Sequence, residues 1–81
     1  MYQTIHERVR VAGIFDQADF KPIWFVWRRR KFNVEKITLV SDLKDGAIKK
    51  KMYSVLADGN LYRLDHCPAE QTWVLEQTWI D

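Results

Sequence analysis

The chain has 81 residues, of which 14% are aromatic and 30% are charged, and its formal net charge is +2 at pH 7. A chain of this length builds one hydrophobic core, so we expect a single small domain spanning residues 1–81. The many apolar residues, spread along the whole sequence, exclude a disordered chain, and the small net charge excludes a general polycation.

The compartment is indicated by the cysteine count and by the N-terminal composition. Cys67 is the only cysteine, which excludes an internal disulfide and is typical of a reducing compartment. Residues 1–20 carry several charges where a signal peptide needs an apolar run. The longest apolar run, residues 23–27, is far shorter than the roughly 20 residues that span a bilayer. We therefore expect a cytoplasmic protein without a membrane segment.

Alternation of apolar and polar residues predicts the first half of the fold. Ile5, Val9 and Val11 share one face of a strand at residues 4–11, and the segment from Gly13 to residue 19 is predicted as a loop. Residues 23–27 follow as a strand that is apolar on both faces, and residues 28–31 form the predicted tip of a hairpin. The next strand changes parity after Val34, which predicts a β-bulge near residues 35–36.

Turn signals delimit the remaining predicted strands. Residues 42–46 are predicted as a turn, and a strand follows at residues 47–56. Asp58 and Gly59 form the strongest turn signal in the chain, because this dipeptide accepts the positive φ angles of a tight hairpin. Further strands are predicted at residues 61–64 and 73–80.

Five to six short strands without a helical stretch predict an all-β fold. The expected architecture is a small antiparallel barrel or a strongly bent sheet, of SH3-like or OB-like size. Alternation assigns the following residues to its core: Val9, Val11, Phe25, Trp27, Phe32, Val34, Ile37, Leu39, Tyr53, Val55, Tyr62, Leu64, Trp73, Leu75 and Trp79.

Two runs of cations are the candidate binding residues. They are either solvated surface or contacts to phosphates, which arginine and lysine neutralise with release of counterions. Trp24 has the opposite parity to Phe25 and Trp27, so we expect it to be partly exposed and able to stack on a base. If the two runs share a surface, nucleic-acid binding is favoured. If they lie at opposite ends of the domain, their interpretation as solvated surface is favoured. The candidate nucleic-acid-binding residues are Arg28, Arg29, Arg30, Lys31, Lys49, Lys50, Lys51 and Trp24.

Catalytic and metal chemistry find little support in the sequence. His66 and Cys67 are adjacent, and neighbouring residues of a strand point apart, whereas a nucleophilic pair must meet in space. One cysteine and two distant histidines do not supply the three or four ligands of a metal site. We therefore expect no catalytic residues, no metal, no cofactor and no enzymatic activity.

A pattern of aromatic and turn residues resembles a known family. The pattern is Pro22-x-x-Phe25-x-Trp27-Arg28-x-Arg30-x-Phe32-x-Val34, then Tyr53-x-Val55-x-x-Asp58-Gly59-x-x-Tyr62-x-Leu64, and finally Trp73-x-Leu75 and Trp79-Ile80-Asp81.

This pattern, over about 60 residues, resembles a family of small bacterial domains of uncharacterised function. Its members occur alone or next to Y-family-polymerase-like DNA-repair proteins. The family tends to have glycine where this chain has Arg29. An arginine at positive φ costs roughly 1 kcal/mol, so a different turn type is expected here.

The sequence thus predicts a non-catalytic binding module. The resemblance and the basic-aromatic segment indicate DNA or RNA as the partner and a role as a DNA-repair accessory. The alternative is a protein-interaction module that uses an aromatic groove, an exposed strand edge or a second copy of the chain.

Overall fold

The fold, described for residues 1–79 by a computed structural model, is all-β, as predicted. Its strands are β1 (Tyr2–Arg8), β2 (Arg10–Asp16), β3 (Asp19–Trp27), β4 (Arg30–Asp45), β5 (Ile48–Ala57), β6 (Asn60–Cys67) and β7 (Thr72–Trp79). All of them belong to one antiparallel sheet with the order β1-β7-β6-β5-β4-β3-β2. Residues 1–79 contain no helix with the length and apolar character needed to cross a membrane.

The N-terminal strands hold the two edges of this sheet together. β2 to β7 form a meander in which each strand pairs with the next, whereas β1 pairs with β7 at the opposite edge from β2. Only Val9 separates β1 from β2, and its N–H donates a hydrogen bond to the Trp73 carbonyl at 3.1 Å. The sheet therefore bends around its core but does not close, so the bent-sheet alternative holds and the barrel alternative is wrong.

The sheet has seven strands because the single strand predicted at residues 4–11 is divided at Val9 between β1 and β2, and the predicted loop after Gly13 is the hairpin between β2 and β3. Asp16 pairs with Asp19, and the two turn residues, Gln17 and Ala18, have φ angles of 53° and 71°. This is the two-residue turn that joins twisted strands most readily, but it is usually marked by Asn-Gly or Asp-Gly. The sequence lacks that signal here, so the prediction of five to six strands was wrong.

Bulges set which side chains face the core. The predicted bulge near residues 35–36 is present, and a second irregularity follows between Ile37 and Leu39. This second shift turns Leu39 outward, where it is 54% exposed. Another shift in β7, at Glu76, makes Thr78 the buried residue and leaves Trp79 37% exposed. The core assignments of Leu39 and Trp79 were therefore wrong.

The core is aromatic at its centre. Phe25 and Phe32 stack in parallel with their ring centroids 5.0 Å apart, and Tyr62 meets Phe25 at 5.3 Å. Apart from Leu39 and Trp79, the predicted core residues are buried or pack against the buried cluster. Ala57 and Ile5 also belong to this region without having been predicted. The predicted last strand extended to Ile80, which lies outside the described residues.

Gly13 is required by the close approach of β3. Ala12 pairs with Trp24 and Gly13 with Pro22, so Ile23 is an extra residue in β3 and bulges out of the ladder. A Cβ at Gly13 would lie 2.2 Å from the Lys21 carbonyl oxygen, closer than atoms can approach without movement of the backbone. The absence of a side chain at this position thus permits the bulge.

We predict that Gly13→Ala lowers the free energy of unfolding by about 2 kcal/mol, because the added methyl group displaces the β3 backbone. Gly46→Ala is the matched control: its Cβ would meet no atom within 4 Å, and it carries only the strain of a φ of 63°. We expect that strain to cost about 1 kcal/mol. Urea denaturation measures both values, and a smaller loss at Gly13 than at Gly46 would contradict the steric argument.

Candidate functional site

The first cluster of cations lies at the β3–β4 turn, and two of its arginines, Arg28 and Arg30, form ion pairs within the fold. Arg28 and Arg29 are the two turn residues, with φ angles of 52° and 64°. The Arg28 Nη2 atom lies 2.8 Å from the Glu7 Oε2 atom, and the guanidinium carbon lies 4.6 Å above the Trp27 ring. In this turn Arg29 adopts the positive φ that costs an arginine roughly 1 kcal/mol, and the expected difference from the family's turn type stays a prediction.

Glu7 joins this turn to the N-terminal strand. Besides binding Arg28, its carboxylate accepts a 3.0 Å hydrogen bond from the indole Nε1–H of Trp27. The hydrogen bond from Arg28, followed by that from Trp27, holds the pKa of Glu7 below its usual value. The contact holds β1 against the end of β3.

The next two cations are also engaged. Arg30 forms an ion pair with Asp58, which occupies the β5–β6 turn, and its guanidinium carbon lies 4.7 Å above the Phe32 ring. The Lys31 ammonium lies 5.0 Å from the centroid of the Trp24 ring. Trp24 is half-buried, in agreement with the predicted partial exposure, but the cation covers part of its ring.

The second cluster, Lys49 to Lys51, lies at the far end of the sheet. These lysines begin β5, whereas Ala57 ends it beside Asp58, the partner of Arg30. The lysines lie six to eight positions before Ala57 along β5, which corresponds to roughly 20–26 Å. The two clusters of cations therefore do not converge on one surface.

A groove lined by aromatic side chains lies where β2 diverges from β7. It has two adjoining lobes with volumes of about 360 and 290 Å³, which share Phe20, Lys51 and Tyr53. We call it the aromatic groove. The first lobe is completed by Val11, Phe15, Ala18, His66 and Trp73, and the second by Asp19, Lys21, Ile37 and Val40.

Register explains why three of these side chains line the first lobe together. Lys51 pairs with His66, and His66 pairs with Trp73, so the three lie in one row across β5, β6 and β7. The His66 ring stacks on Trp73 with a centroid distance of 4.4 Å and an interplanar angle of 16°. In a closed barrel, a further strand would continue this row beyond β7. Within residues 1–79 no strand does so, because β2 turns away from β7 after Val9.

The β2–β3 hairpin supplies the opposite wall. Phe20 contacts Trp73 at 5.6 Å, and Phe15 contacts Phe20 edge-on at 5.2 Å. Tyr53 forms the floor, 2% exposed and 5.3 Å from Trp73. Phe15 is 77% exposed, so most of its apolar surface faces solvent.

The ionisable groups beside the groove have mixed sign. Lys51 and Lys21 supply two cations, and the Lys21 ammonium lies 2.9 Å from the Asp16 carboxylate. Burial, followed by the charges of Asp19 and Asp42, raises the pKa of the Tyr53 hydroxyl. Lys21, Lys51 and Asp19 thus line the groove, and Asp16 pairs with Lys21, so the charges at the groove are of mixed sign.

The opposite face of β6 carries a polar cavity of about 330 Å³, bordered by His6, Asp65, Cys67 and Glu76 among others. The buried Asp65 carboxylate binds Arg63 through two hydrogen bonds of 2.9 Å. Among the residues described, no group of three or more His, Cys, Asp and Glu side chains could hold a metal ion. His66 faces the groove, whereas Cys67 faces this cavity, as adjacent strand residues must.

The groove was not found in the sequence because it depends on long-range pairing. Phe15 lay in the predicted loop, Phe20 lay between that loop and the next predicted strand, and His66 lay between the strands predicted at residues 61–64 and 73–80, whereas all three belong to strands. Of the predicted site residues, only Lys51 lines the groove. The one signal available in the sequence was the uncharged run from Val11 to Phe15, which ends in a phenylalanine.

Comparison of this chain with protein families, with curated proteins and with solved structures finds no match. With no match to classify it, the chain is defined by its fold, which is that of a small all-β protein with an open seven-stranded antiparallel sheet in residues 1–79. The resemblance to the small bacterial domain family rests on sequence motifs and stays a prediction.

We predict that Arg29→Gly raises the free energy of unfolding by about 1 kcal/mol, because glycine adopts the φ of 64° without steric strain. Urea denaturation measures the change. Arg29→Ala is the control, since it removes the same charge but keeps the strain. Equal effects of the two substitutions would attribute the gain to the charge rather than to the backbone.

We also predict a loss of stability in weak acid that depends on His66. Burial lowers the pKa of His66 below its ordinary value of 6.5, so the unfolded chain binds a proton more readily than the folded one. The free energy of unfolding then falls as the pH falls through the unfolded-state value. His66→Phe should reduce the loss between about pH 7.5 and pH 5.5, measured by urea denaturation. His6→Asn should retain this loss of stability. A loss in His66→Phe as large as that of the wild-type chain would contradict its assignment to His66.

Proposed function

We propose that this chain is a non-catalytic protein-interaction module that binds an extended partner segment in the aromatic groove. The observation that carries the proposal is the groove itself, where Phe15, His66 and Trp73 line the first lobe and Phe20 lines both lobes. Exposed aromatic side chains around a concave surface are typical of the sites that dominate binding energy in protein interfaces.

The proposed ligand places one apolar or aromatic side chain in each lobe. Phe20 and Lys51 stand between the lobes, so two ligand side chains separated along an extended segment reach both of them. Phe15, being 77% exposed, gains the most burial when a ligand covers it. Burying an aromatic side chain removes roughly 150–250 Å² from water.

Charge favours a protein partner over a nucleic acid. The Arg28 and Arg30 side chains already bind Glu7 and Asp58, and a phosphate would have to displace these carboxylates. The lysine cluster lies roughly 20–26 Å along β5 from Ala57, the residue beside Asp58, so the two clusters do not form one continuous basic surface. Nucleic-acid binding and the role as a DNA-repair accessory remain predictions, which the following experiment also tests.

The test is selection from a displayed library of random 12-residue peptides against the immobilised chain. We expect enriched peptides with two apolar or aromatic residues, and binding of the synthetic peptides that Phe15→Ser weakens at least tenfold by fluorescence anisotropy. Leu39→Ser is the matched control: Leu39 is 54% exposed but does not line the groove, so this variant should bind as wild type does.

The same variants are titrated with labelled single-stranded and duplex DNA at low and moderate salt. Binding of DNA that weakens steeply with salt, and that is lost when residues 28–31 are changed to serine, would replace this proposal with the nucleic-acid alternative. Peptide binding that is equally weak in Phe15→Ser and Leu39→Ser would exclude the groove as the site.

A further inference from the structure

The two edge strands of the sheet differ in how well they are protected from pairing with another chain. An exposed edge strand presents free backbone donors and acceptors, and natural proteins interrupt such strands with bulges or charged residues. β1 is interrupted. Ile5 and His6 together face the single residue Glu76, His6 has a φ of 53°, and the strand ends in the charged pair Glu7 and Arg8.

β2 has neither kind of protection. The extra residue of the β2–β3 ladder, Ile23, belongs to β3, so β2 itself runs without interruption. Its five central residues, Val11 to Phe15, carry no charge, and Ile14 and Phe15 are 55% and 77% exposed. Beyond the Val9 contact, the backbone hydrogen bonds of β2 within residues 1–79 go to β3 alone.

The sequence of β2 is complementary to itself in the antiparallel direction. If Gly13 lies opposite Gly13 of a second copy, Arg10 lies opposite Asp16, Val11 opposite Phe15, and Ala12 opposite Ile14. Each large exposed side chain then meets a smaller apolar one on the same face of the joined sheet. A shift of one residue places Arg10 opposite Phe15 and loses the charge pairs, so the pairing about Gly13 is the favoured register.

The charged ends of β2 are available for this pairing. Arg10 is exposed and takes part in none of the ion pairs formed within residues 1–79. Asp16 binds Lys21 through Oδ2, and its side chain is 52% exposed. A carboxylate has two oxygens, so Asp16 binds Lys21 and a second cation together.

We propose that a second copy of this chain pairs with β2, strand to strand and antiparallel, with a two-fold axis at Gly13. The dimer has one continuous sheet through both copies, two Arg10–Asp16 ion pairs, and Ile14 and Phe15 covered by Ala12 and Val11 of the other copy. Self-complementary contact of one patch with itself is the commonest arrangement in protein dimers. This inference does not depend on a ligand in the aromatic groove.

Analytical ultracentrifugation over a range of concentrations tests the dimer. We expect the wild-type chain to exceed the 9.7 kDa of a monomer and to dissociate on dilution. Arg10→Asp and Asp16→Arg each bring two like charges together twice, so each variant alone should dimerise at least about tenfold more weakly. An equimolar mixture of the two should form heterodimers, because every facing pair is then opposite in charge.

Controls separate this pairing from other causes. Arg8→Asp changes the same charge on β1 and should leave the association unchanged, and circular dichroism confirms that each variant is folded. A wild-type chain that stays monomeric overturns the proposal, as does a mixture of the variants that associates no better than either alone. A wild-type chain that binds the peptides but stays monomeric at every concentration would overturn the dimer, by its mass, and leave the proposed groove function standing.

Discussion

The structure depends on one constraint, which is that two consecutive strands occupy opposite edges of the same sheet. Only Val9 separates β1 from β2, so the edges must come together at that residue. The bend that results encloses the core of Phe25, Tyr62 and Leu64 between distant parts of the sheet. It also leaves an open seam on one side of Val9, where β2 and β7 diverge. The aromatic groove and the free edge of β2 both lie at this seam.

The cations that dominate the sequence have a structural role at this bend. Arg28 and Trp27 both bind Glu7, so the β3–β4 turn holds the first strand in place. Arg30 similarly joins β4 to the β5–β6 turn through Asp58. Exposed ion pairs of this kind are individually weak. Their main effect is to neutralise the charge that made the segment resemble a phosphate-binding site.

Much of the fold could be predicted because period-two alternation and turn chemistry are local properties. The Asp58-Gly59 turn, the bulge near residues 35–36 and most core positions followed from neighbours in sequence. The β2–β3 turn could not, since Gln17 and Ala18 adopt positive φ without a residue type that favours it. Nor could the outward rotation of Trp79, which follows from a bulge at Glu76 that the alternation within β7 does not mark. The groove combines residues from β2, β3, β5, β6 and β7, and no local sequence pattern indicates that these residues come together.

The position of β1 also determines the order in which the sheet can be completed. Every other strand pairs with its neighbour in sequence, so each of those pairings closes a short loop. Pairing of β1 with β7 joins Tyr2 to Trp79 and closes nearly the whole chain, which has the greatest entropic cost of any contact in the fold. During synthesis on a ribosome, the residues of β1 emerge before those of the other six strands but have no partner until β7 has been made. Of the seven strands, β1 is therefore translated before the others and is the last to find its place in the sheet.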